Sequence, residues 1–299
     1  MGIYHRRYNN LRDSKVAPFI FIGPTVLVLL LLVIFPMFYS LGISFTEWNL
    51  IRGGSWQFVG LRNYYYAVFK DPYFRTSFKV TILYVCAVVT MELFIGLGVA
   101  LLLNRPLKKV GIYRTALVIP STMTPVVVGI IWRLLYNPEL GTLNYFLSLF
   151  GLKPLNWLGD PSVALFSVII ADVWEWTPFM ALILLAGLQA LPQDPLEAAI
   201  VDGASPTQVF RYVVFPLLQP TLVVALLLRL MDSFKTFDLI FVLTKGGPGM
   251  STEVLSYYTY RYGFKFFHIG QASAMSYILV VMVIIISQIF VNYLRAGEE

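Results

Sequence analysis

The sequence predicts an all-α integral membrane protein with six transmembrane helices, and three observations carry that prediction. Hydrophobic side chains make up 58% of the 299 residues and charged ones 13%, against roughly 25% charged in soluble domains. The apolar residues come in runs that reach the roughly 20 residues a helix needs to cross hydrocarbon. Residues 16–46 and 269–294 contain no charge at all. Finally, runs such as 26–35 and 280–286 are apolar throughout, without the alternation of membrane strands. The mean hydropathy of +0.73 agrees. A soluble enzyme is excluded, because so apolar a chain has too little polar surface to cover itself. A single cysteine, Cys86, excludes a disulfide scaffold. The 22 Lys and Arg residues are too scattered for a nucleic-acid surface.

The spans are expected near 17–44, 79–103, 113–136, 162–188, 220–243 and 269–294. The first follows a basic tail, 1–15, with Arg6, Arg7, Arg12 and Lys15. Its apolar run is too long for a cleaved signal, so it reads as a retained helix. Pro18, Pro24 and Pro36 are expected to bend it or break its ends, since each lacks an N–H. The second span holds one charge, Glu92; the third ends at Arg133; the fourth carries Asp172 and Glu175; the fifth meets Arg229 after a charge-free run. Basic residues are densest in the tail and at Arg105, Lys108, Lys109 and Arg114. By the positive-inside tendency, both termini are expected in the cytoplasm.

The polar stretch 190–216 between spans four and five is the most informative. Asp194-Pro195, with Glu197 three residues on, reads as an N-cap, a first-turn proline and a capping box. A short helix is expected from Pro195 to about Asp202, ended by a left-handed Gly203. Ser205, Pro206 and Gln208 repeat the start signal, so a second helix is expected from Pro206 to about Val214, ending before Pro216. Leu196, Ala199 and Ile200 stripe the first helix, and Val209, Phe210, Val213 and Val214 the second. Such an element suits docking into a groove on another protein. The alternative is a membrane-surface hairpin that only connects two spans.

The run Glu197-Ala198-Ala199, then Asp202-Gly203-Ala204, then Val213-Val214-Phe215-Pro216 resembles the EAA loop of ABC importer permeases, with Val213 and Phe215 in place of the family's Ile and Leu. Phe58-Val-Gly-Leu-Arg-Asn-Tyr64, Asp71-Pro-Tyr-Phe74, Phe237-Asp238 and Thr244-Lys-Gly-Gly-Pro-Gly249 with Thr252 resemble the carbohydrate-uptake branch, of maltose and glycerol-3-phosphate type, and its first membrane subunit. The resemblance implies a type I permease fold over 16–299, in which 190–216 is the cytoplasmic coupling loop. It implies four kinds of partner: a second homologous permease subunit, an ABC ATPase dimer, an extracytoplasmic solute-binding protein and a sugar. Glycerol-3-phosphate or another polyol is the alternative solute. The expected site is the bacterial inner membrane. ATP and magnesium are expected on the ATPase subunits and no cofactor on this chain, which has no G-x-x-x-x-G-K-[ST] stretch. His5 and His268 lack metal-ligand spacing, and no catalytic constellation stands out.

Charges at bilayer depth are costly and face a cavity or a partner. Asp172 and Glu175 share one helix face beside Trp174 and Trp176. Carboxylates bond sugar hydroxyls and aromatic rings pack on sugar C–H faces, so this is the composition of a saccharide contact. The alternative is an ion pair with Arg133 or Arg229, with packed tryptophans. Arg229, Asp232, Lys235 and Asp238 recur at intervals of three. They either neutralise one another along the helix or line a path with Ser233 and Thr236. Glu92 is expected to pair with an arginine across helices. Two further classes, a secondary transporter and a membrane-embedded transferase, would need coupling-ion sites or an acid, base and acceptor at one interface.

Overall fold

The computed structural model describes residues 17–51, 53, 56–105, 108 and 110–296. The basic tail and Lys109 lie outside them. In chain order the helices are α1 (Ala17–Leu29), α2 (Phe35–Ser44), α3 (Arg62–Tyr65), α4 (Pro72–Leu103), α5 (Val110–Val118), α6 (Pro125–Leu135), α7 (Thr142–Leu149), α8 (Pro161–Gln189), α9 (Gln193–Val201), α10 (Pro206–Val209), α11 (Phe215–Ser233), α12 (Asp238–Leu243), α13 (Leu255–Tyr260) and α14 (Ile269–Ala296). Strands β1 (Thr46–Glu47) and β2 (Gln57–Phe58) pair antiparallel. Among the described residues, five continuous helices are long and apolar enough to cross a bilayer: Ile20–Ser44, Pro72–Leu103, Pro161–Gln189, Pro206–Ser233 and Ile269–Tyr293. The bent pair α5 and α6, counted as one span, gives the sixth.

Prolines explain where the chain departs from the expected boundaries. Span two begins at Pro72 rather than 79, because Asp71 caps it, accepting from the N–H groups of Tyr73 (2.9 Å) and Phe74 (3.2 Å). The third crossing is bent by 96° between its two helices. Met123 and Thr124 there are extended ahead of Pro125, as residues before proline tend to be. Pro36 and Pro216 do not break their helices. In each case the five residues that end two positions before the proline, Leu30–Ile34 and Phe210–Val214, widen into a π turn. The N–H of Phe35 bonds the Leu30 carbonyl, and that of Phe215 the Phe210 carbonyl. The wide turn makes room for the proline ring, which otherwise meets the carbonyl four residues back. The second coupling helix therefore runs on without a joint into span five, and the span starts at Pro206 rather than 220. That span also stops early, at Ser233, and a turn over 234–237 separates it from α12.

Three apolar clusters hold the bundle. Tyr84, Val88, Val168, Val173 and Ile240 join α4, α8 and α12 at mid-bundle. Ala100, Met180, Leu184, Leu188, Leu218 and Leu222 join α4, α8 and α11 towards the 190–216 loop. Ala67, Phe74, Leu255, Tyr258 and Met275 close the opposite face. At Gly96 the α4 backbone comes so near α8 that a Cβ would lie 2.8 Å from Met180 Cγ, so only glycine fits without displacement. Span one meets α14 through α2, where Ser40 Oγ lies 3.2 Å from the Tyr277 hydroxyl. Most of its side chains otherwise point away from the rest of the chain, as a lipid-facing or partner-facing helix requires.

Candidate functional site: a paired helix element and a polar interior

The 190–216 loop folds as helix, turn and helix. The first helix, α9, starts at Gln193, two residues before the expected start, and Asp194 lies in its first turn without capping it. Pro195 still fits, since the first-turn N–H groups have no helical acceptor. Gly203 takes φ +77°. Its N–H bonds the Ile200 carbonyl (3.0 Å) and the Ala204 N–H bonds that of Ala199 (3.0 Å), which is a Schellman ending. At Ser205 the capping box is complete: Ser205 N–H donates to Gln208 Oε1 (2.7 Å) and Gln208 N–H to Ser205 Oγ (3.4 Å). Glu197, Ala198, Asp202 and Gly203 face outward, while Ala199 and Ala204 are half-buried. Ile200 and Val201 are 65% and 85% exposed. An apolar recess lined by Leu101, Leu188, Leu196, Val209, Phe210 and Val214 lies beneath the two helices. Pro216 is exposed at the wide turn.

The polar interior is built around Arg229 of α11. Its guanidinium forks onto Glu92 of α4, with Nε 2.6 Å from Oε2 and Nη2 2.9 Å from Oε1. Nη2 also bonds Asp172 of α8, and Nη1 lies 3.2 Å from Asp232. The Tyr84 hydroxyl donates to the other oxygen of Asp172. The Trp176 ring lies 4.9 Å from the guanidinium carbon, a cation–π distance. Arg229, Glu92 and Asp172 are buried. An unpaired ion here would carry the full cost of desolvation, so the satisfied fork is what makes the burial tolerable. Three spans are thus tied by one side chain. Glu92 has the arginine partner expected of it. Asp172 takes Arg229, whereas Arg133 donates to the Val242 carbonyl at 3.3 Å.

Beside this network lies a cleft of about 170 Å³, lined by Pro125, Asp172, Glu175, Trp176, Asp232, Lys235, Thr236, Phe237, Asp238 and Leu239. Six of the eight residues expected at a substrate path converge here. Trp174 does not; it is 38% exposed and meets Trp132 edge-on at 5.9 Å. Ser233 is buried and donates back to the Arg229 carbonyl of its own helix. Nor are the four charges from Arg229 to Asp238 a ladder on one helix, because the chain turns after Ser233 and Asp238 begins α12. Lys235 Nζ lies 3.8 Å from Asp232. The sequence reading missed Tyr84, Phe237 and Pro125. A tyrosine hydroxyl at bilayer depth needs a partner, and that was the available signal.

The segments on the opposite face have structural work. The Tyr258 hydroxyl donates to Asp71 Oδ2 (2.6 Å). Thr252 Oγ1 donates to the Gly247 carbonyl (2.8 Å) and lies 2.7 Å from Thr244 Oγ1, closing the 244–252 loop. Asn63 Nδ2 donates to the carbonyls of Ser44 and Thr46. Glu253 is buried and 2.5 Å from Arg261 Nη1; burial pushes its carboxyl above the usual range despite that cation.

Apolar crossings around a polar cleft, with paired helices projecting from one face, define a membrane transport subunit. Over residues 92–297 the chain matches the family described as the binding-protein-dependent transport system inner membrane component, and it belongs to that family. It is 44% identical over 283 residues to a probable ABC transporter permease protein, y4oQ, of Sinorhizobium fredii, covering 94% of this chain and 90% of that protein. It is 38% identical over 287 residues to the trehalose/maltose transport system permease protein MalF of Thermococcus litoralis, covering 96% and 95%. In fold it is similar to a chain from the crystal structure of a bacterial ABC transporter involved in the import of the acidic polysaccharide alginate. The TM-score is 0.82 at 22% identity, covering 97% of this chain and 99% of that one. Family membership sets aside the secondary-transporter and transferase alternatives: the relatives are permease proteins, not catalytic chains.

Proposed function

We propose that the chain is the first membrane subunit of an ATP-driven, binding-protein-dependent sugar importer, with both termini in the cytoplasm. The observation that carries this reading is the likeness, over nearly the whole of both chains, to a trehalose/maltose permease. Pairing with a second homologous permease subunit completes the path. A solute-binding protein delivers sugar on the outer side, and an ABC ATPase dimer, holding ATP and magnesium, grips Glu197, Ala198, Ala199, Asp202, Gly203 and Ala204 on the inner side. ATP binding shifts the population from inward-open to outward-open only if the ATPase dimer binds ATP better in one of those states. Movement of α10 passes directly into α11, because the helix is continuous through Pro216, and so reaches Asp232 and the cleft. Asp172, Glu175, Trp176, Lys235 and Asp238 are assigned to the solute path.

The test is reconstitution. The complex is purified from native membranes, its companion chains are identified, and uptake of labelled trehalose, maltose and related saccharides into proteoliposomes is followed. Uptake that requires both the binding protein and ATP is expected. Uptake without ATP, or of no saccharide at all, overturns the reading.

A further inference from the structure

Beyond assigning the path to a sugar, the cleft is lined chiefly by acids. Its lining holds four carboxylates, Asp172, Glu175, Asp232 and Asp238, against one ammonium, Lys235. Arg229 does not line the cleft; its guanidinium is taken up by the fork with Glu92 and by its contacts to Asp172 and Asp232. Two of the acids already have partners: Asp172 takes Arg229 and Tyr84, and Asp232 is shared between Arg229 and Lys235.

Glu175 is different. It is only 1% exposed, it lines the cleft, and its Oε2 is buried without any hydrogen-bond partner. A buried acceptor left unmade is costly, so a donor from outside the chain is what completes it. Trp176, on the same stretch of α8, puts an indole at the same cleft. Donor-seeking carboxyls beside an aromatic ring fit a polyhydroxylated ring that brings hydroxyl or ammonium hydrogens. An acceptor-rich anion in the same space meets a single ammonium, Lys235, which Asp232 already shares, and faces the acids of the lining in a medium that screens poorly.

We propose that this cleft selects solutes by charge, admitting neutral or amino-bearing saccharides and rejecting those that carry carboxylate, sulfonate or phosphate. The proposal rests on the sugar-importer reading and deepens it. Within the same fold it sets this chain against uptake of a glycerol phosphate.

The test separates the electrostatics of the cleft from uptake. In the assembled complex with Cys86→Ser, a reporter thiol is placed in the cleft by Thr236→Cys. It is labelled with a trimethylammonium and with a sulfonate methanethiosulfonate reagent. Relative to a free thiol, the cationic reagent is expected to react about tenfold faster than the anionic one. Adding Glu175→Gln and Asp238→Asn should narrow that ratio. In proteoliposomes, uptake of trehalose should exceed uptake of its 6-carboxylate by about tenfold at equal loading of the binding protein. A labelling ratio equal to that of the free thiol, a ratio unmoved by the two substitutions, or equal uptake of both sugars overturns the proposal. No saccharide uptake alongside an intact labelling ratio instead overturns the importer reading, and the solute assignment falls with it.

Discussion

Arg229 and Glu92, 137 positions apart in the chain, meet as a two-pronged ion pair inside the bundle, with contacts of 2.6 and 2.9 Å and both side chains fully buried. Removing the cation strands Glu92 and Asp172 together. Arg229→Leu is therefore expected to destabilise the assembled protein by roughly 3–5 kcal/mol. Arg229→Lys keeps the charge but cannot make the planar fork, so it should fall between the two. Thermal unfolding of the purified complex measures this order. A leucine variant as stable as the parent would remove the network from the account of stability.

Gly203→Asp is expected to insert and fold normally while recovering about tenfold less ATPase on purification. A Cβ at Gly203 meets nothing within 4 Å in this chain, and aspartate is among the residues that tolerate the left-handed conformation. The loss would thus fall on the surface presented to the ATPase. Normal co-purification with normal transport contradicts the coupling assignment.

Pro216→Ala restores an N–H and removes the ring that the wide turn at Phe210–Val214 accommodates. The turn should close to ordinary α-helix, changing the register between α10 and α11 by one residue, about 100° of rotation. The complex should still assemble, but the ratio of solute-stimulated to basal ATP hydrolysis should drop. An unchanged ratio would mean that the wide turn has no part in transmission.

Glu253 supplies a pH dependence. Burial raises its folded-state affinity for a proton, and Arg261 only partly offsets this. The stability it contributes is complete below the unfolded carboxyl range, near about pH 4.3. It is lost as pH rises through the raised folded value. Glu253→Gln should flatten the decline of thermal stability above about pH 4.3. Parallel profiles for parent and variant would refute the assignment.

Much of the coupling element was legible because its signals are local. Gly203 had to end one helix and Ser205 with Gln208 had to begin the next, whatever the rest of the chain did. The start of α9 lies before Asp194 because a proline is tolerated anywhere in a first turn, so Pro195 does not fix which position is first. Pro216 looks like a stop in the sequence because the wide turn that accommodates it leaves no mark on hydropathy. In the interior, the depth of Glu92, Asp172 and Arg229 could be read from the apolar runs around them. That Glu92 pairs with an arginine follows from that depth, but which arginine it and Asp172 share does not, since the partners sit on three spans and only packing brings them together. The turn after Ser233 is invisible in the sequence because charges spaced by three look the same on a helix and on a chain that has left one.

The unbroken run from Pro206 to Ser233 has a mechanical consequence. Between the tip that the ATPase is proposed to hold and the Arg229 fork lie about 35 Å of helix at 1.5 Å per residue, with no loop to absorb slack. The two ends form a single rod, and a displacement imposed at one is felt at the other as strain on buried ionic contacts. The coupling loop is therefore not an interchangeable cassette. Grafted from a relative with a different proline register, it would arrive rotated, and the graft would be expected to bind its ATPase while driving nothing.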